Sequence, residues 1–174
     1  MRDRRGSRIL ATLVDLACML PWIGVVAAAG AVLWVTGVTR VLDPLVGNIV
    51  GFVTLIAPIT VTASGFEGRH RHATPGKRAL RVTVERSIGG GAGFARSLVR
   101  NGIKYGLPWE LGHTAVFAWF GTTTAPPLWV TVVLVLAYAI PIVSLGLLLV
   151  TGRALHDWVA RTTVAPVVAS AGGG

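Results

Sequence analysis

Charge is scarce in this chain. Only 13% of its 174 residues are Asp, Glu, Lys or Arg, against roughly 25% in an ordinary soluble domain. That scarcity excludes a disordered chain and a charged coiled coil, and it argues against an ordinary soluble enzyme. Acidic residues are rarer still, 7 against 16 basic ones, for a formal net charge of +9. Cysteine is nearly missing, and one thiol, Cys18, forms no intrachain disulfide. The sequence has no G-x-S-x-G, H-E-x-x-H or C-x-x-C, so acyl-transfer, zinc-hydrolase and dithiol chemistry lack their usual signatures. We therefore expect no enzyme activity, no cofactor and no metal. Positive charge by itself would point to nucleic acid, but no stacking motif or reading helix accompanies it, so no nucleic-acid partner is expected.

Long apolar runs stand where charge is missing. The chain is 53% apolar with a mean hydropathy of +0.68, and a membrane crossing needs about 20 such residues. The first run covers about residues 9–38 and holds Asp15 and Pro21, with Trp34 as an interfacial anchor. Counting back about 20 residues from Trp34 puts Asp15 near the edge of the hydrocarbon. The second run, 44–63, carries Gly47 and Gly51 in G-x-x-x-G spacing, which lets another helix approach closely. The third, 106–121, is weak: it covers about 24 Å of a core about 30 Å thick, and it holds Glu110 and His113. It crosses only if a helix from about Phe94 continues into it past Pro108; otherwise it is re-entrant or lies on the surface. The fourth, 128–151, is unambiguous. The fold class is thus an all-α membrane protein, one domain, a small bundle of four helical segments. A cleaved signal peptide is the competing reading of the first run, which is too long for an apolar region of about 7–15 residues.

Sidedness follows from the basic residues. Arg2, Arg4, Arg5 and Arg8 precede the first run, nine Lys and Arg lie between the second and third, and Arg153 and Arg161 follow the fourth. With four crossings and both ends inside, 15 of the 16 basic residues face the cytoplasm, and only Arg40 does not. The expected location is the inner membrane. The expected partners are the bilayer with its anionic headgroups, and a second copy or another membrane protein.

The inner connection, 64–105, is the long hydrophilic segment. Arg81–Glu85 alternates with period two, as a short strand does, and Ser87–Gly93 reads as a glycine-rich turn. Arg96, Arg100 and Lys104 then recur at i, i+4 and i+8, while Phe94, Leu98 and Val99 fall on another face. This predicts an amphipathic helix at the cytoplasmic face with its basic residues on anionic lipid. Residues 166–174 read as a flexible tail. Other patterns are incomplete. Thr74-Pro75-Gly76-Lys77 resembles the end of a phosphate loop, but Arg71 and Arg78 stand where Gly and Ser or Thr belong. His70 and His72 alternate with Arg69 and Arg71, which repel a metal cation.

Several short motifs occur in a fixed order. Arg8-Ile-Leu-Ala11-Thr-Leu-Val-Asp15 opens the first helix, and Thr74-Pro75-Gly76-Lys77 follows the second. Phe94-Ala95-Arg96 with Arg100-Asn101 begins the basic helix, and Arg153-Ala154-Leu155-His156-Asp157 follows the last. This order resembles the RDD family of membrane proteins, named for one arginine and two aspartates, over nearly the whole chain. By that likeness Arg8 is the arginine and Asp15 and Asp157 are the aspartates, with Lys77, Arg96, Arg100, Asn101, Arg153 and His156 in supporting positions. Arg81 and Arg161 depart from the pattern, each standing where the family usually has glycine. The resemblance implies a polytopic membrane protein. Ion or small-ligand transport has been proposed for the family, sodium–proton antiport is attributed to some members, and others assist membrane complexes.

Arg8 and Asp15 are seven residues apart, so they share a helix face with an axial separation of about 10.5 Å. All three motif charges fall at the cytoplasmic ends of their helices. A carboxylate near hydrocarbon needs a partner. Two readings follow: a charged clasp joining the first helix to the last, or a cation or proton site based on Asp15, with Glu110 and His113 completing a polar path. Transport by so small a chain predicts self-association, for which Gly47 and Gly51 supply a surface.

Overall fold

The structure is a computed structural model that describes residues 4–38, 43–69, 72–120 and 125–167. Helix α1 (Arg4–Val35) takes up the first run together with basic residues before it. The second run forms one continuous rod: α2 (Pro44–Gly51), a π-helical turn at Phe52–Ile56, and α3 (Ala57–Gly68). Pro44 occupies its first turn, where a missing N–H costs nothing, and Asp43 accepts the Leu45 N–H at 2.8 Å. The rod runs past the expected end at residue 63 because the polar residues beyond it are buried and paired. Then come α4 (Pro75–Ala79) and strand β1 (Val82–Arg86).

The third run is entered by the helix that begins near Phe94, which continues into it past Pro108. Helix α5 (Gly93–Asn101), a second π-helical turn (Gly102–Gly106) and α6 (Leu107–Phe120) join end to end. They lie antiparallel to α2 and α3 along their whole length. A Cβ added to Gly68 would meet Phe94 Cα at 2.6 Å, and one on Gly47 would meet Phe117 Cε1 at 2.8 Å. Phe117 therefore comes level with the start of α2. Both glycines of the G-x-x-x-G pair face α6, since Gly51 looks onto His113 and Phe117. They pack this chain against itself.

Helix α7 (Leu128–Thr151) ends at Gly152, whose φ of 75° closes the helix in the left-handed region. A short α8 (Leu155–Val159) and strand β2 (Thr162–Pro166) follow. Three helices among the described residues are long and apolar enough to cross a membrane: Arg5–Val35, Pro44–Gly68 and Leu128–Thr151.

Each π-helical turn precedes a proline by two residues, Pro58 and Pro108. Proline has no N–H for the carbonyl four residues back, and the wider turn is where the ladder adjusts. The Thr54 carbonyl, left without the Pro58 donor, accepts the Trp22 indole N–H of α1 at 3.1 Å. The bond ties two apolar rods through a backbone group that lipid could not satisfy.

The helical class carries one addition. Strands β1 and β2 form an antiparallel pair, with Val82 opposite Pro166 and Arg86 opposite Thr162. Alternation at residues 81–85 predicts β1. Its partner lies where a tail was expected to begin, so residue 166 belongs to the sheet. The rest of that tail from residue 168, and the connection holding Arg40, lie outside the described residues.

Candidate functional site

Polar side chains of the core collect at one end of the bundle, where α1 begins and α7 ends. Ala11 and Asp15 are both 2% exposed and stand one turn apart on α1. This face receives the N-terminus of α4. Asp15 Oδ2 accepts the Thr74 hydroxyl at 2.6 Å, and Asp15 Oδ1 accepts the Gly76 N–H at 2.7 Å. The first N–H groups of a helix have no partner within it and attract negative charge, so α1 caps α4 from outside. Gly76 is required there: a Cβ would run into the Ala11 carbonyl oxygen. The Thr-Pro-Gly-Lys motif thus has a physical content. Thr74 donates to Asp15, Pro75 fits the first turn, Gly76 admits α1, and Lys77 reaches inward.

Lys77 Nζ donates to Glu67 Oε1 at 2.6 Å and lies 3.8 Å from Asp15 Oδ2. Glu67, fully buried near the end of α3, is the centre of the cluster. Its Oε1 also accepts from Arg100 Nη1 at 2.6 Å, and its Oε2 accepts from Asn101 Nδ2 at 3.0 Å. Arg100 is 1% exposed and its Nε donates to Asp157 Oδ1 at 2.9 Å. Asp157 Oδ2 accepts from Arg8 Nη2 and from the Ala154 N–H. Arg8 further donates to the Gly152 carbonyl at 2.6 Å. One chain of charges therefore runs Asp15, Lys77, Glu67, Arg100, Asp157, Arg8.

Burial alone would raise the Asp157 carboxyl, but the Arg100 and Arg8 guanidinium groups overcome it and hold the group well below the ordinary carboxylate range. Burial would lower the Arg100 guanidinium, and Glu67 and Asp157 reverse that, so its charge is locked. His156 goes the other way: burial pushes it well below its usual 6.5, and the Arg100 charge adds to the push. It stays neutral at pH 7, with Nδ1 3.2 Å from the Ser144 hydroxyl.

A family model matches residues 4–161, and its description is the RDD family. The chain belongs to the RDD family. No curated protein and no solved structure matched it. In this RDD chain the arginine pairs directly with only one of the two aspartates. Arg8 pairs with Asp157, while Asp15 holds α4, and Lys77, Glu67 and Arg100 connect the two halves.

The basic helix sits inverted relative to the lipid-facing expectation. Arg100 points into the acid cluster, while Phe94, Leu98 and Val99 are exposed. Three buried acids demand cations, and that demand outweighs attraction to headgroups. Arg96 is half-buried and reaches the Ala160 carbonyl at 3.5 Å. Arg153 lies at the margin, donating to the Thr162 carbonyl at 2.9 Å and stacking over Trp158. Glu110 and His113 lie apart from this cluster. Glu110 accepts from Asn48 Nδ2 at 2.9 Å, and His113 Nδ1 lies 2.9 Å from the Trp109 carbonyl. Glu67 escaped the sequence reading because the apolar run was ended at residue 63, which left an acid of the helix in the loop. Its signal was an isolated acid one turn beyond an apolar run with no nearby basic residue on the same helix.

The two departures from the family pattern are both backbone-sensitive. Arg81 has φ 54° and Arg161 has φ 51°, each directly before a strand. Left-handed backbone there explains the family's glycine and leaves this chain with strain at both turns.

Proposed function

We propose that this protein is a four-crossing inner-membrane module with both ends in the cytoplasm, and that its motif charges are a clasp and not an ion pathway. One observation carries the reading. Every carboxylate oxygen of Asp15, Glu67 and Asp157 already accepts a donor from the protein itself. An ion passing there would have to displace lysine, arginine and backbone N–H groups from a buried site. The protein acts by binding in or along the membrane, without catalysis. The match in length between the α5–α6 rod and the α2–α3 rod supports a fourth crossing, and the basic residues support the orientation.

Purified protein in liposomes with an internal pH-sensitive dye tests the clasp. Wild type is expected to give no cation-dependent flux. Flux by well-folded wild type that is lost in Asp15→Asn would overturn the reading. A cysteine placed at Arg78 is expected to resist an impermeant thiol reagent added from the periplasmic side, and labelling there would reverse the orientation.

Transport keeps one observation in its favour, away from Asp15. Asn48 Oδ1 and Glu110 Oε2 are shielded acceptor atoms without a donor among the described residues, on the facing helices α2 and α6. Such a pair suits a proton or a small cation. On that reading flux survives Asp15→Asn and disappears in Glu110→Gln.

A further inference from the structure

One corner of the surface is built from arginine without acid. It lies where α7 ends and the strand ribbon begins, at the boundary between an apolar rod and water. Arg86 closes β1 opposite Thr162, and Arg161 precedes that threonine, its carbonyl accepting the Ser87 N–H at 3.1 Å. Arg153, just past the cap of α7, donates to the Ser87 hydroxyl at 3.0 Å and to the Thr162 carbonyl. Arg96 of α5 reaches the Ala160 carbonyl. The backbone of residues 160–162 thus gathers four arginines from separate parts of the chain.

Their charge is not answered within the chain. Among the described residues none of the four forms an ion pair, because Asp15, Glu67 and Asp157 are taken up by the clasp. Glu85 adjoins Arg86 in β1, but neighbouring strand residues point to opposite faces. Apolar side chains border the same corner. Ile88, next to Ser87, is 87% exposed, and Trp158 and Val159 of α8 stand half open beneath the stacked Arg153. Facing water, such residues gain nothing from their apolar surface. In the headgroup layer of a bilayer, tryptophan and arginine belong together, the ring against the chains and the guanidinium on phosphate. The other end of the ribbon is a matched contrast. Arg81 precedes β1 as Arg161 precedes β2, with the same left-handed backbone, but it lies about 13 Å away along the strands. Its neighbour Arg78 is engaged with the Ala73 carbonyl and the Phe66 ring.

We infer that this corner binds the phosphate of an anionic phospholipid, with Arg86, Arg96, Arg153 and Arg161 around the headgroup and Ile88, Trp158 and Val159 against the first carbons of its chains. A guanidinium suits phosphate because its planar fork donates two hydrogen bonds at once. The apolar side chains beside the charges favour a lipid over a soluble anion. The position at the end of an apolar helix long enough to cross a membrane favours a lipid over an acidic protein. The site uses no residue of the ion chain, so it stands or falls apart from the clasp.

Dioleoyl phosphatidylglycerol titrated onto the intact protein in a non-ionic detergent and 0.1 M salt, with bound lipid counted by native mass spectrometry, tests this against dioleoyl phosphatidylcholine. The anionic lipid is expected to bind about tenfold or more tightly. Arg161→Gln and Arg86→Gln should each weaken it about fivefold, since one arginine near an anionic surface is worth about 1 kcal/mol, and leave phosphatidylcholine unchanged. Arg81→Gln removes the same charge from the same backbone setting and should change binding by about twofold at most, because charges more than about 10 Å apart are largely screened. Ile88→Ser should weaken both lipids. Equal affinity for the two lipids would overturn the inference, as would a loss in Arg81→Gln equal to that in Arg161→Gln, which would make net charge the whole effect. Glycerol phosphate displacing the lipid at matched concentration would overturn the choice of a lipid, and polyglutamate doing so would make the corner a protein-docking surface. If Arg161→Gln does not fold, Arg86→Gln and the wild-type comparison of the two lipids still decide.

Discussion

Glu67 accepts from Lys77, Arg100 and Asn101 at once, so its removal strands two buried cations. Glu67→Gln is expected to destabilise the fold by about 3–5 kcal/mol, as breaking a buried pair typically does, read as a lower midpoint in detergent unfolding. Asp15→Asn keeps one acceptor oxygen and should cost less, about 1–3 kcal/mol. His156 sets a pH dependence. Its folded pKa lies below its unfolded value of 6.5, so the unfolded chain gains a proton first. The His156 contribution to stability should be constant above 6.5 and fall as the pH drops below it, and that fall should be lost in His156→Gln. Asp157 is depressed, so its contribution persists down to its ordinary value of 3.8 and vanishes only in stronger acid. The two losses therefore set in at different pH in one thermal-melt series, the first below 6.5 and the second below 3.8. Arg81→Gly and Arg161→Gly relieve left-handed strain and should each raise stability by up to about 1 kcal/mol.

At the scale of elements, α4 shows how a five-residue helix too short to persist alone becomes fixed. Asp15 satisfies its N-terminal N–H, and Gly76 lets α1 into contact. Gly76→Ala should push the two apart and cost about 1–3 kcal/mol, typical of overpacking, with a lowered melting temperature as the readout. The apolar rods were legible in the sequence because lipid imposes a length and a composition on them. Their ends were not. Hydropathy stops at residue 63, whereas α3 continues to Gly68 because Ser64 and Glu67 find buried partners on α5. Charge spacing on α5 was legible, but not which way the face turned, since that depended on acids more than thirty residues distant. Strand β2 was missed because five residues carry little periodicity and its partner lies far back in the chain. The motif residues were legible as a set; their pairing, Arg8 with Asp157 and Asp15 with α4, appears only in three dimensions.

Across the whole molecule, the same local sequence of elements occurs twice. After α3 come α4, a left-handed arginine and β1; after α7 come α8, a left-handed arginine and β2. The two units meet through the strands and through the ion chain, so each half closes the other. The clasp is therefore expected to unfold as one unit. Glu67→Gln and Arg8→Ala combined should cost less than the sum of the two alone, measured by a double-mutant unfolding cycle.

The strand pair has a mechanical consequence. The last residue of β2, Pro166, lies opposite the first of β1, Val82, and Val167 still donates to the Arg81 carbonyl. A load applied at the C-terminal end would therefore peel the ribbon one rung at a time, a low-force geometry, and not shear all its rungs together. Once β2 has come away, the tug passes to α8 and draws Asp157 from between Arg100 and Arg8. The protein would yield from that end first, leaving the apolar rods in place.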